Sequence, residues 1–277
     1  MSRVQKILLF MLLSAVGIAF IYPLLWLVAA SFKPNAEVFT SIGLIPTDFV
    51  WDSYVKGWKG IGKNSYVVFF RNTFVMVLPV VVLTVLSSML IAYGFARFQF
   101  PLKKLFFALM ISTLMLPDAV IMIPRYLLFK NFGWLNTYLP FYIPALLGVN
   151  AFFIFLLIQF FRGIPRDLDE AAVMDGCGSF SILIKVLAPL CLPALVSVGL
   201  FQFLWTYNEF FNALIYINSV AKYPVSLGLR MTLDTDGAVY WNRVMAMSVV
   251  TLLPCVVVFF TAQKYFIEGI TTTGIKG

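Results

Sequence analysis

The residues of this chain that could take part in chemistry are few, and two carboxylates stand out because they lie in apolar stretches. Asp118 and Glu209 are both set among long runs of hydrophobic residues. Carboxylates in such places are costly to bury and usually mark a pathway for a solute or a contact between helices. The chain has no histidine, which removes the commonest metal ligand and the usual general base. No two residues form a recognisable nucleophile and base pair, so we expect no catalysis and neither a metal nor a cofactor bound by this chain.

Amide and aromatic side chains accompany these carboxylates and suit the recognition of a sugar. Amides and carboxylates hydrogen-bond to hydroxyl groups, while aromatic rings stack on the faces of sugar rings. The candidate residues for lining a passage are Asp118, Asn150, Trp205, Asn208 and Glu209. The alternative is that these side chains hydrogen-bond between helices or face lipid headgroups.

A short charged loop between two apolar stretches has the pattern of a helix followed by a tight turn. Asp167 with Glu170 has the spacing of a capping box, with Asp167 as the cap. Gly176 and Gly178 permit the positive φ angles that end a helix. Ser179 can then cap a second helix. The loop is too short to form a domain, and its shape is typical of a docking element.

One face of this loop helix carries small side chains. Leu168, Ala171, Ala172 and Asp175 have the spacing i, i+3, i+4 and i+7 and therefore share a face. Small residues there would let the backbone of another protein come close. The residues predicted to form the docking element are Asp167, Glu170, Ala171, Ala172, Asp175 and Gly176.

Composition places the chain in a lipid bilayer. With 61% hydrophobic residues, 12% charged residues and a mean hydropathy of +0.94, the sequence has too little polar surface for a soluble globule of 277 residues. Runs of about 20 apolar residues can cross the hydrocarbon layer, and six are present, at about 7–30, 73–95, 105–124, 138–161, 186–207 and 244–263. We therefore expect an all-α integral membrane protein with six transmembrane helices and both termini on one side. The net charge is +8. The basic residues form no cluster interleaved with stacking aromatics, so no nucleic-acid partner is expected.

The loop resembles the EAA loop of permeases of ATP-binding-cassette (ABC) importers. That motif reads Glu-Ala-Ala, three residues, Gly, nine residues, then Ile-x-Leu-Pro, and the matching residues here are Glu170, Ala171, Ala172, Gly176 and Pro189. Val186 and Ala188 replace the Ile and Leu, and both remain apolar. The C-terminal segment, from Gln263-Lys264-Tyr265-Phe266 to Gly274-Ile275-Lys276-Gly277, is similar to that of the maltose-type carbohydrate subgroup. The likeness runs from about Asn72 to the end.

The resemblance implies a function and a set of partners. It implies a single transmembrane permease domain, 1–277, with a family-like core at 72–277, an EAA coupling loop at 162–187 and a C-terminal tail at 264–277. Such a subunit forms the pathway for a sugar or oligosaccharide in the cytoplasmic (inner) membrane of a bacterium or archaeon, with both termini and the coupling loop cytoplasmic. Its implied partners are a second homologous permease, two ABC ATPase subunits that hydrolyse ATP, and an extracytoplasmic sugar-binding protein.

Two other classes of protein remain open at this point. An ion-gradient-driven secondary transporter would use Asp118 or Glu209 as a proton or sodium relay in place of ATP. An intramembrane enzyme would need a reactive pair of side chains, and the sequence shows none. Substitution of the loop residues Glu170 and Gly176 distinguishes the three classes, because only the importer needs that loop to bind an ATPase.

Overall fold

The regular elements of the computed structural model are helices. The structure describes residues 2–60, 63–233 and 239–274, with side-chain surroundings as far as residue 264. Most of the predicted C-terminal tail, 264–277, therefore lies outside the described side chains, and residues 275–277 lie outside the described backbone. The described chain forms two compact units, one from residues up to Phe70 and from Leu227 to Pro254, the other from Arg71 to Ser226 and from Cys255 onward.

The longest apolar segments of the described chain are three continuous helices and one closely spaced pair of helices. Helices α1 (Arg3–Ser31), α3 (Tyr66–Arg97) and α14 (Trp241–Gly274) are unbroken. Helices α6 (Leu139–Leu146) and α7 (Ala151–Gly163) follow each other closely enough that 139–163 forms one candidate span. Each of these segments exceeds the length of about 20 residues that a bilayer crossing needs. In the described part of the chain, four helical segments are thus long and apolar enough to cross a membrane.

Two further apolar segments are sharply bent. Helices α4 (Lys103–Thr113) and α5 (Asp118–Asn131) meet at 103°, on either side of a non-helical stretch that ends at Pro117. The helical segment 179–190 and helix α11 (Leu192–Tyr207) meet at 81° around Cys191. Proline favours such breaks because it lacks an N–H group and restricts the residue before it. The number of candidate spans therefore rises from four to six only if each bent pair is one crossing.

Shorter helices connect these segments. They are α2 (Asp52–Trp58), α8 (Asp167–Met174), α9 (Ser179–Ile182), α10 (Ala188–Leu190), α12 (Phe211–Tyr216) and α13 (Val225–Met231), with a π-helical turn at Leu183–Leu187 and 3₁₀ turns at Asn35–Glu37 and Val220–Lys222. Helix α8 coincides with the helix predicted in the charged loop.

In the first unit, α1 has few contacts along most of its length. Within α1 only Ala30 and Ser31, at its C-terminal end, are buried. Just beyond, the Phe32 ring lies edge-on to Trp51 at 4.9 Å, and the fully buried Lys33 donates from Nζ to the carbonyl of Ser41 at 2.7 Å. The end of α1 is therefore anchored, while the rest presents apolar side chains outward, as helices in lipid do.

In the second unit, the core lies between α3, α7 and the helices from α9 to α11. The buried residues that form it include Ala92, Tyr93 and Ala96 of α3, Phe153, Leu157 and Phe161 of α7, Ala172 of α8, and Leu183, Leu187, Ala194 and Val198 further on. Because this cluster includes a residue of α8, the charged loop is packed onto the helices that precede and follow it.

Candidate functional site: a loop helix and a polar cavity

The loop helix α8 begins at Asp167, whereas the sequence predicted Asp167 as the cap that precedes the helix. Arg166 is the N-cap residue, its backbone is already helical at φ −72°, and no side chain caps the helix. Asp167 is the first helical residue, so the prediction that its carboxylate caps the helix is wrong. The amides of Asp169 and Glu170 both bond to the carbonyl of Arg166. The acids of this first turn still stabilise the helix by interacting with its dipole.

The end of α8 is a glycine-terminated turn, as predicted. Gly176 has φ +80°. Its amide donates to the carbonyl of Val173, and the next amide, of Cys177, donates to the carbonyl of Ala172, both at 2.9 Å. This pair of bonds is a Schellman motif, which requires a left-handed residue at the position of Gly176.

The residues after the turn differ from their predicted conformations. Gly178 has φ −75° and ψ 161°, which is extended backbone open to any residue, so its predicted positive φ is wrong. Ser179 is the first residue of α9 and does not cap it, because Gly178 occupies the N-cap position. Instead, the carbonyl of Ser179 accepts a hydrogen bond from the Tyr93 hydroxyl at 3.0 Å. The turn is therefore held by α3 rather than by its own cap.

A buried ion pair connects α8 to α3. Arg97 Nε lies 2.6 Å from Asp169 Oδ2, and the two side chains are 7% and 19% exposed. Arg97 also donates from Nη2 to the carbonyl of Ile164 at 3.1 Å. The contact at Arg97 Nε is not aligned as a hydrogen bond, and Asp169 Oδ1 has no hydrogen-bond partner among the described residues. Sequence reasoning missed both residues, although Asp169 and Ala172 share a helix face at the spacing i, i+3.

The predicted small-residue face is divided between the chain's own core and the surface. Ala172 is 8% exposed and belongs to the core, so interpreting it as part of a free docking surface is wrong. Leu168, Glu170, Ala171 and Asp175 are exposed. Beside them, the apolar side chains of Met174 and Val173 are 87% and 58% exposed. An apolar patch with a charged rim on an ordered helix is typical of a protein interaction site.

A cavity of about 500 Å³, with polar side chains set in a largely apolar wall, lies in the same unit. Its wall includes Asp118 of α5, Asn150 at the start of α7, Trp205 of α11 and Glu209. The structure therefore brings together four of the five residues proposed to line a passage. Asn208 is not part of this wall, and its amide donates to the carbonyl of Leu204 one turn back.

Arg125 lines one side of the cavity and hydrogen-bonds to side chains there. The sequence analysis did not identify it. The predicted span ended at Pro124, which assigned Arg125 to a loop, but Pro124 lies inside α5 and the helix continues. Arg125 donates to the Tyr216 hydroxyl at 3.0 Å and to the Asn212 side-chain carbonyl at 3.1 Å. Asp118 lies 3.9 Å from the guanidinium and is 84% exposed.

The polar groups of the cavity continue to Glu209. The Asn212 side-chain amide donates to one carboxylate oxygen of Glu209 at 3.0 Å, and its backbone N–H donates to the other at 3.1 Å. Asn212 thus joins a cation and an anion, and holds Glu209 in one orientation. Arg125, Asn212 and Tyr216 all line the cavity.

Trp205 offers an aromatic surface to this cavity. Its ring stacks on Phe153 at 4.9 Å with 27° between the planes, yet the residue is 49% exposed. A ring that is fixed on one face and open on the other can stack against an apolar ligand face without losing much conformational entropy. The cavity can therefore combine stacking with hydrogen bonds to hydroxyl groups.

Long apolar helices, a cavity that holds polar side chains and an exposed helix in a short loop are together typical of a membrane transport protein. Residues 85–272 match the family model for the inner membrane component of binding-protein-dependent transport systems. The match covers more than half of the chain, and the chain belongs to this family. The family consists of transporter permease subunits rather than catalytic enzymes.

Known relatives agree with this assignment. The probable ABC transporter permease protein YurM of Bacillus subtilis is 33% identical over 263 residues, which cover 94% of this chain and 85% of YurM. The arabinooligosaccharides transport system permease protein AraQ of Halalkalibacterium halodurans is 33% identical over 273 residues, covering 96% of each chain. These similarities support an ABC importer permease over an ion-gradient-driven transporter.

A solved structure has the same fold. It is one chain in the crystal structure of a bacterial ABC transporter involved in the import of the acidic polysaccharide alginate. The two chains superpose with a TM-score of 0.84 at 24% sequence identity, over 96% of this chain and 99% of that one. This likeness shows that the two chains share a fold.

Proposed function

We propose that this chain forms the translocation pathway for a sugar or oligosaccharide in an ABC importer driven by ATP hydrolysis on separate subunits. The observation that carries the proposal is α8, an exposed helix that is fixed to the chain's own core. The Arg97–Asp169 pair and the buried Ala172 hold it, while Met174 and Glu170 face outward. An ATPase that docks on such a helix can move the helices behind it.

The proposed assembly contains this chain, a second homologous permease, two ABC ATPase subunits and an extracytoplasmic sugar-binding protein. In the proposed topology, each bent helix pair is one crossing, so that six crossings place both termini and α8 in the cytoplasm. The assembly would lie in the cytoplasmic membrane of a bacterium or archaeon. This chain itself would bind no nucleotide, cofactor or metal. The predicted coupling loop, 162–187, would meet the ATPase.

The mechanism is alternating access with energy supplied elsewhere. ATP and the loaded binding protein would both favour an outward-open state, and hydrolysis would remove that bias. Closure of the ATPase pair would displace α8. Because Arg97 of α3 bonds both Asp169 and the carbonyl of Ile164, that displacement would be transmitted to the long helix α3 rather than absorbed in the loop.

The cavity would accept a neutral, hydroxyl-rich ligand. Its charged side chains are Asp118, Glu209 and Arg125, so one cation faces two carboxylates. An anionic ligand would be repelled, whereas hydroxyl groups can donate to the carboxylates and accept from Arg125. The name of the relative AraQ, with its arabinooligosaccharides, supports a ligand of this class.

We expect Trp205→Ala to weaken the capture of sugar. Loss of one stacking surface, worth about 1 kcal/mol, would raise KM about fivefold. Trp205→Phe, which keeps a ring, should show a smaller rise. Uptake of arabinooligosaccharides into proteoliposomes that contain the whole importer and its binding protein measures KM. Asn208→Ala is the matched control, since Asn208 lies outside the cavity wall. Equal effects of Trp205→Ala and Asn208→Ala would contradict this role of the cavity.

We expect uptake to depend on ATP and not on ion gradients. Cells expressing the importer would be treated with a protonophore and a sodium ionophore while their ATP is maintained. Uptake of the labelled sugar should continue, and depletion of ATP with the gradients intact should abolish it. ATPase subunits should also co-purify with this chain from native membranes. Loss of uptake on collapse of the gradients alone would overturn the proposal in favour of a secondary transporter.

A further inference from the structure

A second cavity of about 500 Å³ in the same unit is lined by cations and lies apart from the sugar cavity. It is formed where α3 ends, where α4 begins and where α7 passes into α8. Its lining includes Arg97, Gln99, Lys103, Arg162 and Arg166, with no carboxylate among the lining residues. The proposed transport mechanism uses Arg97 of this lining to hold α8, but it gives the space between the cations no role.

Of the cations around this pocket, Arg97 alone has a carboxylate partner in the part of the chain that the structure describes. That partner is Asp169. Arg162 lies over the ring of Phe107 at 5.6 Å, and Lys103 donates from Nζ to the carbonyl of Phe98 at 2.6 Å. Neither contact supplies a negative charge. Among the described residues, Arg162 and Arg166 have no side-chain hydrogen bond or ion pair. Like charges held around one cavity repel one another unless an anion joins them.

Exposed apolar side chains lie close in sequence to the basic residues of the pocket, which indicates what kind of anion would fit there. Arg97 and Arg162 are at the ends of apolar helices, α3 and α7. Around the start of α4, exposed apolar side chains continue from the basic residues: Phe98, Leu102, Leu105 and Phe106 are 42%, 64%, 49% and 49% exposed. A soluble anion needs only the charges. An amphiphile with an anionic head and hydrocarbon tails would use both the charges and the apolar rim.

We propose that this pocket binds the phosphate of an anionic phospholipid headgroup, with the acyl chains lying along the exposed apolar side chains at the start of α4. Basic pockets at the ends of membrane helices bind such headgroups, and each nearby Lys or Arg contributes to the attraction. Arginine suits the site because its planar guanidinium makes paired hydrogen bonds to phosphate oxygens. The phosphate would lie beside Arg97, which also holds α8, so the lipid would sit next to the anchor of the loop.

The test compares lipid retention by wild-type and charge-neutralised complexes. The whole importer would be reconstituted in nanodiscs of phosphatidylcholine with a minor fraction of phosphatidylglycerol, then released and analysed by native mass spectrometry. We expect wild type to retain phosphatidylglycerol in preference to phosphatidylcholine. The double variant Arg162→Gln/Arg166→Gln should lose about thirtyfold in affinity for phosphatidylglycerol. Lys104→Gln is the matched control: it removes one exposed charge from α4 outside the pocket and should change little.

Two added arms identify the source of the phosphate and test for a structural effect. Inorganic phosphate at millimolar concentration should not displace the lipid, because it makes no contact with the apolar rim. Arg162→Lys/Arg166→Lys keeps the charge and should keep most of the binding. Lipid binding that is lost equally in this variant would overturn the proposal, and so would binding of inorganic phosphate without preference for phosphatidylglycerol.

An acidic protein surface is the other macromolecule that would suit the pocket. If the double glutamine variant lost its ATPase subunits but retained phosphatidylglycerol as wild type does, the pocket would be a protein contact and the lipid proposal would fail. Retention is measured without transport, so this result is independent of whether the chain imports sugar.

Discussion

Gly176→Val is expected to leave the protein inserted in the membrane while reducing its coupling to the ATPase about tenfold. The reason is conformational, because Gly176 has φ +80°, and a side chain in the left-handed region costs about 1–2 kcal/mol. A Cβ atom at this position would meet no atom of more distant residues within 4 Å, so the expected cost comes from the local backbone conformation. This cost destabilises the turn in which the Cys177 amide donates to the carbonyl of Ala172.

Two matched variants isolate this cause. Gly178→Val introduces the same side chain two residues later, also with no atom within 4 Å, but at an ordinary φ of −75°. It should behave as wild type. Gly176→Asn should retain more coupling than Gly176→Val, since Asn tolerates the left-handed region better. Co-purification of the ATPase and ATP-driven uptake in proteoliposomes measure the effect. Equal behaviour of the two valine variants would show that the turn geometry does not matter.

Breaking the ion pair between Arg97 and Asp169 should have the second large effect. Arg97→Met would leave the Asp169 carboxylate largely buried without its cation, at a cost of about 2–4 kcal/mol in the free energy of unfolding. We place the value toward the low end because Asp169 remains 19% exposed. Transport should fall by more than the loss of folded protein accounts for, since the same pair connects α8 to α3. Thermal unfolding of the purified complex and the ratio of uptake to ATP hydrolysed report the two effects separately.

A double-mutant cycle distinguishes the pair from its surroundings. Asp169→Asn alone should also destabilise, whereas Arg97→Met/Asp169→Asn should cost less than the sum of the two single changes. In the double variant, ATP hydrolysis should still fail to drive transport, because α8 would pack against the core without the ion pair that connects it to α3. Asp167→Asn, which removes an exposed acid from the same turn, is the control for stability and should change the free energy of unfolding little. Additive losses in the cycle would mean that the two side chains act independently.

The bent helix pairs show what the apolar runs of the sequence predict about membrane spans and what they do not predict. Apolar runs at about 105–124 and 186–207 were predicted as spans, and helices do occur there. The structure breaks each run, at 114–117 and at Cys191. A run of apolar residues measures only how well a segment tolerates hydrocarbon, and does not report the direction of the backbone. The break before Asp118 is what turns Asp118 and Arg125 toward one cavity.

Features that depend on neighbouring residues alone were determined by the sequence itself. They are the membrane class, which follows from composition, the loop helix, which follows from spacing, and the turn at Gly176, which follows from the freedom of glycine in the left-handed region. The tertiary structure alone decided which side chains meet. In the tertiary structure Arg97 contacts Asp169, and Arg125 contacts Tyr216. Ala172 is buried there, and Asn208 lies outside the cavity wall. These contacts join segments far apart in the chain, and helical spacing specifies which residues share a face but not what that face packs against.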